Sequence, residues 1–294
     1  GGTGDPVMTS RRALLTGAGA VLAAHLTGCQ SAGAKTPPSA ATSPPGRPVM
    51  PATPSRSSRP LRFVVGSDGH LGDPKAPGDP YPAFVKTVNA LHAQASLDFV
   101  VVNGDITQGG VKRQQQVKGV LAGLKMPYFV VPGNHDELTR AQWRKVWRAE
   151  PNLVERFGDR SIILANTSNS AGDYLCAKRS WLQEALHDQA SQQDVLVFMH
   201  ITPDDWTKFG VDCPDIRKVL SQTPNLRAVF NGHDHDQDGQ MTSAGVDYFF
   251  DAHLGGHWGT DYVGFRLSSL DGNTLTTQMV RLDGTLLPET SLSW

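Results

Sequence analysis

The chain has 294 residues, 39% of them hydrophobic, and a formal net charge of −1. That balance excludes the electrostatic footprint of a protein that holds a nucleic-acid backbone, while leaving room for a small phosphorylated substrate. No apolar segment after residue 60 reaches the ~20 residues that a membrane-spanning helix needs.

Residues 8–30, "MTSRRALLTGAGAVLAAHLTGCQ", begin with a short positive region, continue with small and apolar residues and end in Leu26-Thr27-Gly28-Cys29. This is the layout of an export signal. Arg11-Arg12 resembles the twin-arginine class, and "LTGC" resembles the bacterial lipobox, which makes Cys29 the expected lipid anchor. Gly17 and Gly19 do not make a nucleotide loop, because no strand precedes them and Leu22 stands where a third glycine belongs. Residues 30–60 are rich in Pro, Ser, Thr and Ala and carry almost no large apolar side chain, so they read as a disordered tether. The expected organisation is therefore an export signal over 1–29, with residues 1–7 preceding Met8, then the tether over 30–60 and one folded domain over 61–294. It implies an exported protein, attached through Cys29 to the outer face of a bacterial membrane or lying in the periplasm.

From residue 61 apolar runs alternate with segments of helical period, the pattern of an α/β fold. The runs are "LRFVVG", "LDFVVV", "PYFVV", "SIILA", "DVLVFM" and "LRAVF", with helices expected over 82–95, 112–123, 138–149, 179–189 and 215–222. Ligands in open α/β sheets gather at the carboxyl ends of strands. Five of these six runs end in oxygen or imidazole donors: Asp68-Gly69-His70, Asn103-Gly104-Asp105, Pro132-Gly133-Asn134-His135-Asp136, His200 and Asn231-Gly232-His233-Asp234-His235. Any one of these is ordinary turn or cap chemistry. Five at the same end of their strands point to a metal centre. A set of Asp, Asn and His without cysteine suits Mn, Fe or Zn. Glycines before Asp105, Asn134 and His233 are expected to free the backbone for the sharp turns that aim those side chains inward.

In this order the segments resemble the motifs of the calcineurin-like metallophosphoesterases: D-x-H, G-D, G-N-H-D/E, H and G-H-x-H. The resemblance implies a four-layer α-β-β-α sandwich with two mixed sheets and a dinuclear metal centre. One divalent or trivalent ion would be held by Asp68, His70 and His235 and the other by Asn134, His200 and His233, with Asp105 bridging them. His135 would act on the substrate, stabilising the transition state or protonating the leaving oxygen, with Asp136 orienting it. Asp234, Asp236 and Asp238 would stay outside the ligand set. Two cations about 3.5–4 Å apart can lower the pKa of a shared water, so that hydroxide attacks phosphorus in line at neutral pH.

Gln108, three positions after Asp105, resembles the cyclic-nucleotide phosphodiesterase branch of the family, whereas "HITP" at His200 departs from the His-His-Pro of several of those enzymes. The leading expectation is hydrolysis of phosphodiesters such as 3′,5′-cyclic nucleotides. The alternatives are a phosphomonoesterase on the same site, because specificity lies in loops outside the metal shell, and a non-catalytic metal-binding protein. Cys176 and Cys213 can form a disulfide in an exported protein or stay as two buried thiols. "RAQWRKVWR", residues 140–148, reads as an amphipathic helix with tryptophans inward and arginines solvated. "DAHLGGHWG", residues 251–259, reads either as a lining of the substrate cleft or as a structural turn. Oligomeric state has no signature in the sequence.

Overall fold

A computed structural model describes residues 59–294. The expected export signal, with Cys29, and all but the last two residues of the expected tether lie outside the described residues. The elements run β1 (Leu61–Gly66), α1 (Tyr81–Gln94), β2 (Phe99–Asn103), α2 (Val111–Leu121), β3 (Tyr128–Val131), α3 (Arg140–Trp147), β4 (Leu153–Phe157), β5 (Arg160–Ala165) and α4 (Arg179–Asp188). They continue as β6 (Asp194–Met199), α5 (Pro214–Ser221), β7 (Leu226–Asn231), β8 (Gln240–Ser243), β9 (Val246–Phe250), β10 (Gly264–Asp271), β11 (Thr274–Arg281) and β12 (Leu286–Ser293). All six apolar runs are strands and all five expected helices form. Among the described residues no helix is long and apolar enough to cross a membrane.

The strands make two six-stranded mixed sheets, ordered β12-β11-β10-β1-β2-β3 and β4-β5-β6-β7-β9-β8. β1, β2 and β3 pair in parallel, as do β5, β6, β7 and β9. The period-two alternation of side chains decides what each strand contributes to which layer. Phe63, Val65, Phe99 and Val101 point inward and meet Ile162, Leu164, Phe198 and Phe230 of the other sheet. Val64, Val100 and Val102 point outward onto Phe84 and Val88 of α1, Val117 and Leu121 of α2, and Trp143 of α3. On the far side Ile163, Val197 and Val229 pack on Leu182 and Leu186 of α4 and on Ile216 and Leu220 of α5. The result is helix, sheet, sheet, helix, as the resemblance to the metallophosphoesterases implied.

α3 is the amphipathic helix expected of "RAQWRKVWR". Trp143 and Trp147 are buried, while Arg140 and Arg144 are exposed and ion-paired to Glu150. Its start is fixed by a capping box, in which Thr139 accepts from the Gln142 N–H and Gln142 accepts from the Thr139 N–H.

The sheets stack face to face, and a side chain links them where their parallel strands end. The Asn103 side chain, at the end of β2, donates to the Phe230 carbonyl of β7 at 3.1 Å, tying one sheet to the other. Beyond β1 and β2 the two chains stay zipped: Asp68 N–H donates to Gly104 O at 3.0 Å and His70 N–H to Asp105 O at 3.0 Å. The first two motifs are thereby held side by side before any side chain is considered.

Candidate metal centre

Five strand ends supply the centre. Asp68 and His70 follow β1, Asp105 follows β2, Asn134 and His135 follow β3, His200 follows β6, and His233 and His235 follow β7. Asp68, His70, Asp105, Asn134, His200, His233 and His235 are all buried, and His135 is half-buried. Their ligand-type atoms fall into overlapping groups, each within 4.8 Å: Asp68, His70 and His235; His70, Asp105 and His135; Asp105, His200 and His233.

The backbone is bent to achieve this. Asp68, His70, Asp105 and His233 all take positive φ, at 58°, 44°, 48° and 68°. Such left-handed conformations cost non-glycine residues energy and persist where surrounding structure enforces them. The preceding glycines act in more than one way. Gly104 has φ 88°, but at Gly133 the need is space: a Cβ there would lie 2.1 Å from the Asp105 backbone nitrogen. That close approach lets the His135 N–H donate to Asp105 Oδ1 at 2.8 Å.

The histidine tautomers are set from behind. His200 Nδ1 lies 2.7 Å from the Asn103 carbonyl and His235 Nδ1 lies 3.1 Å from the Trp258 carbonyl, so each donates there and leaves Nε2 facing the centre, where it can take a proton or a cation. His70 Nδ1 is engaged by the Gln108 side-chain amide at 2.9 Å. The inward atoms are then crowded: His70 Nε2 and His235 Nε2 are 2.9 Å apart, and His200 Nε2 is 3.2 Å from Asp105 Oδ2. His200 Nε2, His233 Nε2 and Asn134 Oδ1 are buried with no protein hydrogen-bond partner. Buried acceptors without donors are costly. Lone pairs and carboxylates aimed at common points are what cations satisfy, so this donor set fits a pair of metal ions.

The electrostatics agree. Burial opposes charge on His200, yet the Asp105 and Asp68 carboxylates raise it to about 10. Asp68 is driven the other way: burial favours its neutral form, but His200 and His235 hold it well below the usual carboxylate range. His233 is lowered to about 4 by burial and by the neighbouring His200, and is therefore a neutral imidazole at physiological pH.

Asp136 acts on the loop. Its Oδ1 accepts from the Thr107 N–H at 3.0 Å and the Gln114 amide at 2.6 Å, and its Oδ2 accepts from the Gly133 N–H at 2.8 Å. It sets the loop that carries His135 rather than gripping the His135 ring, which instead lies edge-on to His70 with centroids 5.0 Å apart. Burial and the nearby Asp105 push Asp136 up to about 7. Asp238 is engaged by the Tyr262 hydroxyl at 2.7 Å, and Asp234 is buried outside the clusters, where burial raises it to about 6.

Of the two alternatives for the cysteines the structure takes the first, and two contacts were not read from the sequence. Cys176 and Cys213 are joined in a disulfide. The loop over 251–259 lies directly against the first motif, with Leu254 N–H donating to Ser67 O and Gly255 N–H to Asp68 O, both at 2.9 Å. From that loop His257 Nδ1 reaches Asp73 Oδ2 at 2.6 Å. Burial alone would raise Asp73, but the bonds from His257 and the Lys75 N–H hold it below its ordinary value. The only sequence signal for this pair was the Gly-rich setting of His257.

Two mixed sheets between helices, with a buried Asp/His centre at their shared edge, define a metallophosphoesterase architecture. The family model for calcineurin-like phosphoesterases matches residues 61–237, more than half of the chain, and the chain belongs to that family. It is 28% identical over 200 residues to a probable cyclic nucleotide phosphodiesterase of Rhodopseudomonas palustris, covering 60% of this chain and 72% of that protein. It is also 29% identical over 170 residues to a glycerophosphodiester phosphodiesterase of Enterobacter lignolyticus, covering 52% of this chain and 60% of the relative. Among solved structures a dimetal phosphatase from Danio rerio superposes with a TM-score of 0.64 at 13% identity, covering 80% of this chain and 99% of that one, a likeness of fold.

Proposed function

We propose that the chain is a phosphodiesterase acting on small diesters of the cyclic-nucleotide kind through a dinuclear centre. The observation that carries the reading is the convergence of four imidazoles, two carboxylates and one amide oxygen, with the outward nitrogens of His70, His200 and His235 already engaged. Asp68, His70 and His235 would hold one ion, Asn134, His200 and His233 the other, and Asp105 both. When bound, such a pair supplies Lewis acidity, lowering the pKa of water and offsetting charge on phosphoryl oxygens. Mn, Fe and Zn all suit these donors.

The chain's own groups do the rest. His135 is half-buried at the mouth, with its main chain pinned by Asp105, and is positioned to hydrogen-bond the phosphoryl group or to protonate the leaving oxygen. Asp136 keeps that loop in place. Asp105, which would be the ions' shared ligand, accepts from the His135 main chain and would so keep the proton donor in register with them. The diester preference is supported by the phosphodiesterase relatives and by Gln108, which lies on His70.

Export and attachment through Cys29 belong to the same proposal. They are supported by the Cys176–Cys213 disulfide, a feature of oxidising compartments. The test compares bis(p-nitrophenyl) phosphate with p-nitrophenyl phosphate after chelation and readdition of Mn, Fe or Zn. Metal-dependent cleavage of the diester supports the reading. Preferential cleavage of the monoester would replace it with a phosphomonoesterase, and inertness towards both and towards cyclic nucleotides would leave a metal-binding protein.

A further inference from the structure

The mouth of the centre is built from aromatic rings supplied by three separate loops. Tyr174, in the loop after β5, stands edge-on to His233 with ring centroids 4.5 Å apart and planes at 85°. Phe209, in the loop after β6, lies 5.8 Å from the same imidazole and 5.3 Å from Trp258. Trp258, in the loop after β9, stacks on His235 at 4.2 Å with planes 8° apart. The rings thus ride on the two imidazoles of the last motif, one on each side of the buried Asp234.

These rings are not core. Phe209 and Trp258 are half-buried, and Tyr174 is 41% exposed with Leu175 beside it at 40%, two of the five large exposed apolar side chains among the described residues. Shielding the imidazoles would account for Phe209 and Trp258 but not for a tyrosine left open to solvent.

The loops are also fixed. Leu175 N–H donates to Thr167 O at 2.8 Å, and Thr167 Oγ1 accepts from the Ile201 N–H at 3.1 Å, next to His200. The disulfide joins Cys176, two residues beyond Tyr174, to Cys213, four beyond Phe209. It therefore couples the two rings that flank His233.

We propose that Tyr174, Phe209 and Trp258 form a rim that takes a nucleobase attached to the phosphate at the metal centre, and that the Cys176–Cys213 disulfide latches the rim in its binding arrangement. The phosphate end rests on the phosphoesterase reading above; the base end rests on the rings alone. A planar heteroaromatic fits because open ring faces and edges reward stacking. The setting is polar as well: Lys208 lies over Phe209 at 5.0 Å, and the His257–Asp73 pair sits on the loop that carries Trp258. An alkyl chain would call for a closed apolar channel, and these half-exposed rings do not make one.

The test is a calorimetric titration of the metal-reloaded full chain with 5′-AMP and with ribose 5-phosphate, which share the phosphate and sugar and differ in the base. The expected result is tighter binding of 5′-AMP by about 5- to 100-fold, the range set by stacking of one base on aromatic side chains. Tyr174→Ala should remove most of that preference and Tyr174→Phe should keep it, with ribose 5-phosphate affinity and metal content unchanged. The double variant Cys176→Ser/Cys213→Ser should lower the preference without loss of metal.

Equal binding of the two ligands by the native protein, or binding of neither, overturns the rim. So does equal weakening of both by Tyr174→Ala. An unchanged preference in the double serine variant overturns the latch. A base preference without diester cleavage would sink the catalytic reading and leave the rim standing, and cleavage without a base preference would do the reverse.

Discussion

The two halves of the centre are built differently. On one side His70 and His235 have their outer nitrogens engaged by Gln108 and the Trp258 carbonyl, and Asp68 adds a full negative charge. On the other side Asn134 is neutral, His200 rests its outer nitrogen on the Asn103 carbonyl, and His233 touches the Tyr174 and Phe209 rings, with its Nε2 and Asn134 Oδ1 unpartnered. The first half is a preorganised, charged cradle. The second half offers one carboxylate fewer and carries Tyr174 and Phe209 of the rim, so a cation there would have more to gain from a substrate phosphoryl oxygen. Asp105 is common to both halves, and the differences between them can be broken or sharpened one residue at a time.

The largest effect belongs to the shared carboxylate. Asp105→Asn should empty both halves and abolish turnover, with elemental analysis of the purified variant as the check. Full metal occupancy in that variant would contradict the shared role. Next comes His135→Ala, which should leave both halves loaded yet lower turnover by about 10²- to 10⁴-fold, the span of general acid catalysis. Loss of metal there would mean that His135 is a ligand, as its grouping with His70 and Asp105 permits.

Gln108→Ala touches the first half alone. Removing the amide that orients His70 should weaken one ion by about 10- to 100-fold, read as a split in a two-site chelator titration. Equal weakening of both sites would erase the distinction between the halves.

The last effect is on pH. In the ion-free protein His200 sits at about 10, above its unfolded value near 6.5, so its charge stabilises that state fully below about 6.5 and the contribution fades as pH rises through about 10. A ligating imidazole must be neutral, so metal uptake should release this proton and affinity should rise by about tenfold per pH unit over that window. Calorimetry in buffers of different ionisation enthalpy counts the proton. An affinity flat between pH 6.5 and 9 would contradict the assignment.

How much of this was legible in the sequence follows from which signals are local. The five strand-end motifs could be read because apolar runs such as "DVLVFM" announce buried parallel strands and the donors follow within a few residues. β10, β11 and β12 were not read as strands, since "GFRLSSLD", "TLTTQMVR" and "LLPETSLS" mix Ser, Thr and charged residues, and β12 is mostly exposed. Their turns were the usable signal: Gly272-Asn273 joins β10 to β11 and Asp283-Gly284 lies between β11 and β12. That Asp136 orients His135 came from the family resemblance; the bonds by which it holds the His135 loop, to Thr107, Gln114 and Gly133, join separate segments and have no local signal. The aromatic rim and the Asp73–His257 pair join residues far apart in the chain, and no periodicity announces such partners.

The most direct measurement is anomalous diffraction from crystals of the chelated protein reloaded with Mn. The account predicts two peaks per chain, one among Asp68, His70, His235 and Asp105 and the other among Asn134, His200, His233 and Asp105. A single peak, or peaks away from these side chains, would contradict it.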